Sequence, residues 1–238
     1  MGIESPIIPH HPVYIHKGIA STKAPQGGVF DYHSIAIWAT IGFFLGDSTF
    51  YKDVKVLQPS CRFENGQIFG PDWKWHYSPR DINLAQTVDE FSILFEKIID
   101  EQTSGAEIIL PLSGGLDSRT LAVACAHKDN VIAYSYKFKH GINETKYGEE
   151  IAMYCDFPFN KYIINPGYLW DVIDELAEIN QCYAEFTHPR PMAVINEVSK
   201  LGDVFLLGHW GDVLFDNINV KDDLDFESQV NIVLNKIV

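Results

Sequence analysis

The chain has 238 residues, of which 46% are hydrophobic and 21% are charged, and its formal net charge is −14. This composition fits one large folded domain, or one domain with a small appendage, and it argues against a disordered chain. Because an acidic chain repels phosphate backbones, we expect no nucleic-acid partner, although a small basic pocket stays compatible with the composition.

The cysteines and the apolar segments indicate the cellular compartment in which the protein is expected. The four cysteines, at positions 61, 125, 155 and 182, show no CxxC spacing, so we expect reduced thiols rather than a zinc site or a disulfide framework. The first residues lack the pattern of a signal peptide, and the longest apolar run, residues 34–46, is too short to cross a membrane. We therefore expect a cytoplasmic protein with no membrane partner, and interpret that run as a buried helix ending near Gly46.

The first part of the chain gives weaker signals. Residues 1–30 are rich in Pro, Gly and His and predict an irregular arm. A metal could bind His10, His11 and His16, but no carboxylate or cysteine completes a ligand set, so a solvated arm is favoured. The Asn65-Gly66 pair predicts a β-hairpin turn, and residues 73–77 predict a short strand or an aromatic plug.

From Leu84 onward, helical and strand patterns alternate. Residues 87–104 have apolar positions at helical spacing, with Thr87 as the predicted N-cap and Glu90 completing a capping box. The following segments predict, in order, strand 106–112, helix 119–127, strand 130–138, helix 144–156, strand 160–165, helix 168–183 and strand 203–212. Regular alternation of this kind is the signature of an α/β domain with a parallel sheet.

Small and polar residues, LSGGLDS at 112–118, follow the first of these strands. Glycine lets a ligand approach the backbone closely, and a helix start offers free N–H groups, so Ser113, Gly114 and Gly115 predict an anion site suited to phosphate. Asp117 would repel bare phosphate unless a divalent cation lies between them. The pattern is neither a Walker loop nor GxGxxG, and the alternative interpretation is a tight strand-to-helix turn without a ligand.

LPLSGGLDSR, residues 110–119, resembles the pyrophosphate loop of the N-type ATP pyrophosphatases, and this version is most similar to the asparagine synthetase group. Supporting similarities lie at 37–67, which resembles the end of a glutaminase domain, at ETKYGEEIA, 144–152, and at LLGHWGDVLF, 206–215. The resemblance implies a Rossmann-like ATP-pyrophosphatase domain over residues 84–238. It also implies that an arm and a small α+β remnant of a glutaminase-like domain occupy residues 1–83.

The resemblance also implies site residues. Those that match the ATP site are Leu112, Ser113, Gly114, Gly115, Asp117, Ser118, Tyr136 and Gly208. Asp117 and Asp212 match the carboxylates associated with Mg²⁺ and pyrophosphate, and both are expected to be catalytic. His209 stands where the family has an acidic residue and is a third candidate, with a solvent-facing side chain as the alternative. Trp210 replaces a glycine beside it.

The implied function is that of an ATP-dependent ligase. A small carboxylate substrate would be adenylated with release of pyrophosphate, and ammonia or an amine would then form an amide. Position 2 is Gly where the family glutaminase has its cysteine, so we expect no glutamine hydrolysis by that route. In the family, the domain continues with C-terminal helices that carry a catalytic lysine. The resemblance therefore implies that a separate subunit or a missing segment supplies the glutaminase domain or these helices. An ATP-binding module without full catalysis and another N-type ATP pyrophosphatase are the alternatives.

For each of three basic residues near the predicted site, the sequence allows either contact with phosphate or exposure to solvent. Arg119, at the helix start, either contacts phosphate or lies in solvent. Lys137 and Lys139 follow the second strand, where solvent-exposed side chains are favoured over phosphate contacts.

Overall fold

The computed structural model describes residues 3–4, 12–25, 27–74, 76, 78–181, 189–208 and 223–237. The chain divides into two compact units. We call Met1–Pro79 with Glu175–Thr187 and Ile218–Val238 the antiparallel unit, and Arg80–Asp174 with His188–Asn217 the α/β unit. No helix within the described ranges is long and apolar enough to span a membrane.

Short strands build the antiparallel unit. They are β1 (Ile3–Glu4), β2 (Tyr14–His16), β3 (Ile19–Ser21), β4 (Val54–Val56), β5 (Arg62–Glu64) and β6 (Gln67–Phe69), with helix α1 (Tyr32–Ile41) between β3 and β4. They form two antiparallel three-stranded sheets, β1-β5-β6 and β3-β2-β4. The predicted hairpin turn is confirmed, because Asn65 and Gly66 both have positive φ, 52° and 80°, as a type I′ turn requires.

Two predictions for this unit are wrong. Residues 14–21 are not an irregular arm, since β2 and β3 pair with each other and β2 pairs with β4. The apolar run at 34–46 is not one buried helix: α1 ends at Ile41, and only Ser34 within it is fully buried. The helix stops because Gly42 adopts the left-handed conformation, with φ of 84°, and its N–H bonds the Trp38 carbonyl. At 73, 74 and 76, the described part of WKWHY, no strand forms.

The α/β unit follows the predicted alternation. Its elements are α2 (Leu84–Thr103), β7 (Ile108–Pro111), α3 (Leu116–Cys125), β8 (Val131–Phe138), α4 (Thr145–Tyr154), β9 (Phe159–Ile164), the first part of α5 (Tyr168–Asn180), a 3₁₀ turn (Arg190–Val194), α6 (Ile195–Val198) and β10 (Val204–Phe205). A further helix, α7 (Phe226–Ile237), comes later in the chain. The strands form one parallel sheet in the order β10-β7-β8-β9, which confirms the predicted α/β fold class.

The start of α2 differs from the prediction. Asn83, not Thr87, is the N-cap, and its side chain accepts a hydrogen bond from the Gln86 N–H. Thr87 lies one turn inside the helix, where its hydroxyl donates to the Asn83 carbonyl. The helix therefore begins at Leu84, four residues before Val88, the first apolar position of the predicted pattern.

Both faces of the parallel sheet are buried. On one face, Ile108 and Leu110 of β7 pack in a cluster with Ile99 of α2, Leu121 of α3 and Ala152 of α4. Ile109 faces the other way, in a cluster with Tyr134 of β8 and with Val194 and Val198 from the 3₁₀ turn and α6. Alternate residues of β7 thus pack against helices on opposite faces of the sheet, which is the arrangement expected of a buried parallel strand.

Strand order sets where a ligand can bind. From β7 the chain moves outward through β8 and β9, and then returns to place β10 on the opposite side of β7. The connections on the two sides of β7 therefore leave the sheet in opposite directions, which opens a crevice at the carboxyl ends of β7 and β10.

Candidate functional site

The loop after β7 is held by its own hydroxyl groups. The Ser118 Oγ accepts a hydrogen bond from the Ser113 N–H at 3.2 Å and lies 3.1 Å from the carbonyl oxygens of Ser113 and Gly115. The Ser113 Oγ accepts from the Gly115 N–H at 3.1 Å. Short hydroxyl side chains favour such local bonds to the backbone, so the serines of this segment fix its turn.

Helix α3 presents its N-terminus at this loop. Gly115 is the N-cap residue, and no side chain of the described ranges caps it. Because the first N–H groups of a helix have no partner within the helix, the N–H groups at the start of α3 are available to an anion. A helix start without a side-chain cap thus lies at the carboxyl end of β7.

A cavity of about 300 Å³ lies at the switch point of the sheet. Its lining comes from the ends of β7 and β8, the start of α3 and the segment after β10, and consists of Pro111, Leu112, Ser113, Gly115, Asp117, Ser118, Tyr134, Ser135, Tyr136, Glu144, Arg190, Leu207 and Gly208. We call it the switch-point cavity. Of the residues that the resemblance assigned to ATP, all but Gly114 line it.

Gly208 approaches the start of α3 closely. A β-carbon at this position would lie 3.1 Å from the Asp117 Cβ and 3.1 Å from the Leu121 Cδ1. A glycine is therefore what lets the segment after β10 lie against Asp117. The Asp117 side chain is exposed, and no described residue forms an ion pair with it.

Gly114 lines a second cavity, of about 740 Å³, on the α4 side of the loop. This cavity shares Ser113, Gly115 and Glu144 with the first, and it also contacts Arg119, Tyr147, Glu150, Ile151 and Tyr154. A β-carbon at Gly114 would lie 3.2 Å from the Tyr147 ring. The loop therefore separates two concave surfaces, with Glu144 on the rim of both.

Burial raises the pKa of the two phenols that line the switch-point cavity. Desolvation raises the pKa of Tyr134 to about 12 and also raises the pKa of Tyr136, although the nearby Arg190 guanidinium opposes the second shift. Both phenols are therefore neutral at physiological pH. Neither side chain can act there as a base, and their rings provide apolar surface.

Arg190 is a residue that sequence reasoning missed. It begins the 3₁₀ turn between Pro189 and Pro191, and it supplies the one basic side chain among the described residues of the switch-point cavity. Its only sequence signal is a basic residue between two prolines, which fix the local backbone. Glu144 was noted only as part of a similar segment, and Pro111 and Tyr134 were missed as lining residues.

The remaining predicted residues are placed as follows. His209, Trp210 and Asp212 lie outside the described residues, as do His10, His11 and Cys182. Lys137 and Lys139 line neither cavity. The described residues contain no group of three His, Cys, Asp or Glu side chains that could hold a metal.

Arg119 is exposed and lines the second cavity, and it also bonds the loop. Its guanidinium donates to the Gly114 carbonyl at 2.8 Å through Nη2 and to the Gly115 carbonyl at 3.4 Å through Nε. The side chain is thus bonded to the loop itself.

The cysteines match their prediction as far as they are described. Cys61, Cys125 and Cys155 are unpaired thiols, and the first two are buried. Desolvation raises the pKa of Cys125 to about 11 and also raises that of Cys155. The thiols of Cys125 and Cys155 therefore stay protonated at physiological pH.

A parallel sheet with a hydroxyl-bonded glycine loop at its switch point defines a Rossmann-like α/β unit of the kind that binds ligands beyond its strand ends. The family model for asparagine synthase matches residues 90–232, which is more than half of the chain. The chain belongs to the asparagine synthase family, as its loop sequence predicted.

Solved structures give more distant similarities. A glutamine-dependent NAD⁺ synthetase from Acinetobacter baumannii, in complex with adenosine diphosphate, has 16% identity and a TM-score of 0.40 over 69% of this chain and 32% of its own. An NH₃-dependent NAD synthetase from Campylobacter jejuni subsp. jejuni, in complex with nitrate, has 16% identity and a TM-score of 0.31 over 50% of this chain and 51% of its own. The chain thus spans about a third of the first protein and half of the second. No curated protein sequence gives a significant match.

Proposed function

We propose that this protein is an ATP-dependent ligase that adenylates a small carboxylate substrate, with release of pyrophosphate, for amide formation with ammonia or an amine. One observation carries the proposal. The segment LSGGLDS of an asparagine synthase family member lies at the switch point of a parallel sheet, with a helix N-terminus and an exposed carboxylate beside it.

The lining of the switch-point cavity divides into two parts that suit the two ends of ATP. Leu112, Tyr136 and Gly208 offer apolar surface and close backbone approach, which suits a flat base. The Ser113 hydroxyl and the N–H groups at the start of α3 are groups that suit phosphate. In this proposal adenine lies at the strand ends and the phosphates extend over the loop.

Mg²⁺ fits the donor atoms that the described residues present. This ion is commonly bound by one or two carboxylates and by phosphate oxygens and water, so it needs no cage of three protein ligands. Asp117 is exposed at the phosphate end, and Glu144 lines the same cavity. We propose Asp117 as a ligand, with Asp212 as the second carboxylate. A bound Mg²⁺ would neutralise charge on the phosphates and on the departing pyrophosphate.

The bond changes balance without an added co-reactant. A carboxylate oxygen of the substrate attacks the α-phosphorus, the bond from that phosphorus to the bridging oxygen breaks, and pyrophosphate leaves. The nitrogen of ammonia or an amine then attacks the acyl carbon, AMP leaves, and the nitrogen loses a proton. The protein contributes positioning and charge neutralisation, since little covalent chemistry falls to its side chains.

Arg190 is suited to an anionic group in this reaction. A guanidinium can donate two parallel hydrogen bonds to a carboxylate or a phosphate. Its exposed side chain forms no ion pair with a described residue. We propose that it binds an oxyanion of the reactants, and that His209, which follows Gly208 in the sequence, hydrogen-bonds or protonates substrate.

The test measures pyrophosphate release from ATP and Mg²⁺ with a panel of carboxylates that includes aspartate, in the presence of ammonium or amines. D117N should lower release by about a hundredfold, the scale of losing one electrostatic contact in an active site. The matched control is D129N, an exposed aspartate that lines neither cavity, and it should leave the rate unchanged. Equal activity in D117N and the parent would overturn the mechanism.

Calorimetry separates this function from its alternatives. ATP binding without AMP formation for any carboxylate would favour an ATP-binding module, and AMP transfer to another acceptor would favour a different ATP pyrophosphatase. A parent protein that binds no ATP would overturn all three.

A further inference from the structure

Arg119 lies at the phosphate end of the site, but its guanidinium is turned onto the backbone of the loop. It reaches the Gly114 carbonyl at 2.8 Å and the Gly115 carbonyl at 3.4 Å. These oxygens belong to consecutive peptide groups, and a guanidinium fork suits two neighbouring acceptors. We propose that Arg119 is a positioning residue that holds the two glycine peptide groups in the orientation that binds phosphate, a role that rests on the proposed function.

The orientation follows from peptide geometry. In a trans peptide group the C=O of one residue and the N–H of the next point in opposite directions. Where Arg119 holds the Gly114 carbonyl, the Gly115 N–H points away and meets the Ser113 Oγ. Where Arg119 and Ser118 hold the Gly115 carbonyl, the Leu116 N–H points away from it, to the open side of the helix N-terminus.

Two adjacent glycines need such a constraint. Glycine has the widest backbone freedom of any residue, so either peptide group can rotate in a free loop. A rotated group would turn a carbonyl oxygen toward the phosphates and repel them. Hydrogen bonds from a cation to both carbonyls disfavour that rotation before the nucleotide arrives, so less ordering is required on binding.

Ser118 does not make Arg119 redundant. Its single hydroxyl hydrogen can be donated to only one acceptor at a time, yet the Ser113 and Gly115 carbonyls both lie 3.1 Å away. Among the described residues, Arg119 is the one side chain that donates to the Gly114 carbonyl. The carbonyl of the Gly114–Gly115 peptide group is therefore held by Arg119, while its N–H is held by the Ser113 Oγ.

The first experiment needs no ligand. Amide hydrogen exchange over residues 113–118 is measured in the full chain for the parent, R119M and R80M. Arg80 is the matched control, because its guanidinium pairs with Glu90 and lines neither cavity. R119M should raise exchange in this segment by about tenfold, the scale of losing one charged hydrogen bond, while R80M leaves it unchanged. Unchanged exchange in R119M would overturn the proposal.

The second experiment separates positioning from direct phosphate contact. R119M should weaken ATP binding by about tenfold and leave adenosine binding unchanged, because adenosine does not reach the loop. The salt dependence of ATP binding should keep the parent slope, whereas loss of a direct ion pair would flatten it and overturn the proposal. R119K, which keeps the charge and loses the fork, should recover only part of the affinity.

Failure of the proposed function has a different signature. In that case the parent protein binds no ATP, but amide exchange is still faster in R119M. Arg119 would then remain the residue that orders the loop, and phosphate would no longer be the ligand proposed for the loop.

Discussion

The middle of β7 and its carboxyl end are adjacent in sequence and opposite in character. Ile108, Ile109 and Leu110 are at most 1% exposed and contact helices on both faces of the sheet. Ser113, Gly115 and Asp117 are exposed, and the loop that contains them is held by local hydrogen bonds. Stability and ligand affinity should therefore respond separately to changes that lie only a few residues apart.

The largest expected effect lies in the buried segment. Leu110→Ala removes a side chain that is 0% exposed and leaves a cavity, so the free energy of unfolding should fall by about 3 kcal/mol. Urea unfolding gives the value. The control is Leu84→Ala, in which the same change is made at a leucine that is 78% exposed and should cost at most about 0.5 kcal/mol. ATP affinity of the folded L110A protein should equal that of the parent, and a weakened affinity would contradict the separation.

The next effect is a pH dependence of stability that also comes from the buried layer. Burial raises the pKa of Cys125 from 9.0 to about 11, so the folded state favours the neutral thiol. The resulting stabilisation is present below pH 9 and is lost as the pH rises through 11, with about 2 kcal/mol lost by pH 10.5. The free energy of unfolding, measured between pH 8 and 10.5, should fall less steeply in C125A than in the parent. The stability that the substitution itself costs at pH 8 is subtracted before the two curves are compared. Parallel curves would contradict this assignment.

The smallest effect lies at the polar end. Ser118→Ala removes the hydroxyl that joins Ser113 to Gly115, so the loop should bind ATP about fivefold more weakly, the scale of one hydrogen bond. The urea midpoint should change little, because these bonds are exposed. Ser104→Ala, at an exposed position beyond the end of α2, is the control for affinity. A large fall in the free energy of unfolding of S118A would mean that this loop contributes to stability as the buried segment does, and would contradict the separation.

Local patterns were enough to predict the sheet and its loop. Buried strands and amphipathic helices leave periodic signals, and glycines and serines between them mark a turn. The family resemblance, rather than local pattern, assigned Leu112, Ser113, Asp117, Ser118 and Gly208 to a common site, and the structure brings them to one cavity.

What could not be predicted depended on competing or long-range contacts. The apolar run at 34–46 predicted one helix, but Gly42 takes a left-handed conformation that ends it. Asn83 caps α2 in place of Thr87 because the helix extends beyond its apolar pattern. Arg190 enters the site only through the path that the chain takes after α5, and no local pattern marks that path.

The strand order also has a consequence for folding. The bonds that shape residues 113–118 join groups at most five positions apart, so this loop can form early at a small entropic cost. The wall of the cavity at Leu207 and Gly208 forms only when Val204 pairs with Ile108, across almost a hundred residues of chain. During synthesis the loop at 113–118 should therefore be shaped well before the cavity exists, and under the proposed function a nucleotide should bind tightly only after the last of these strands has paired.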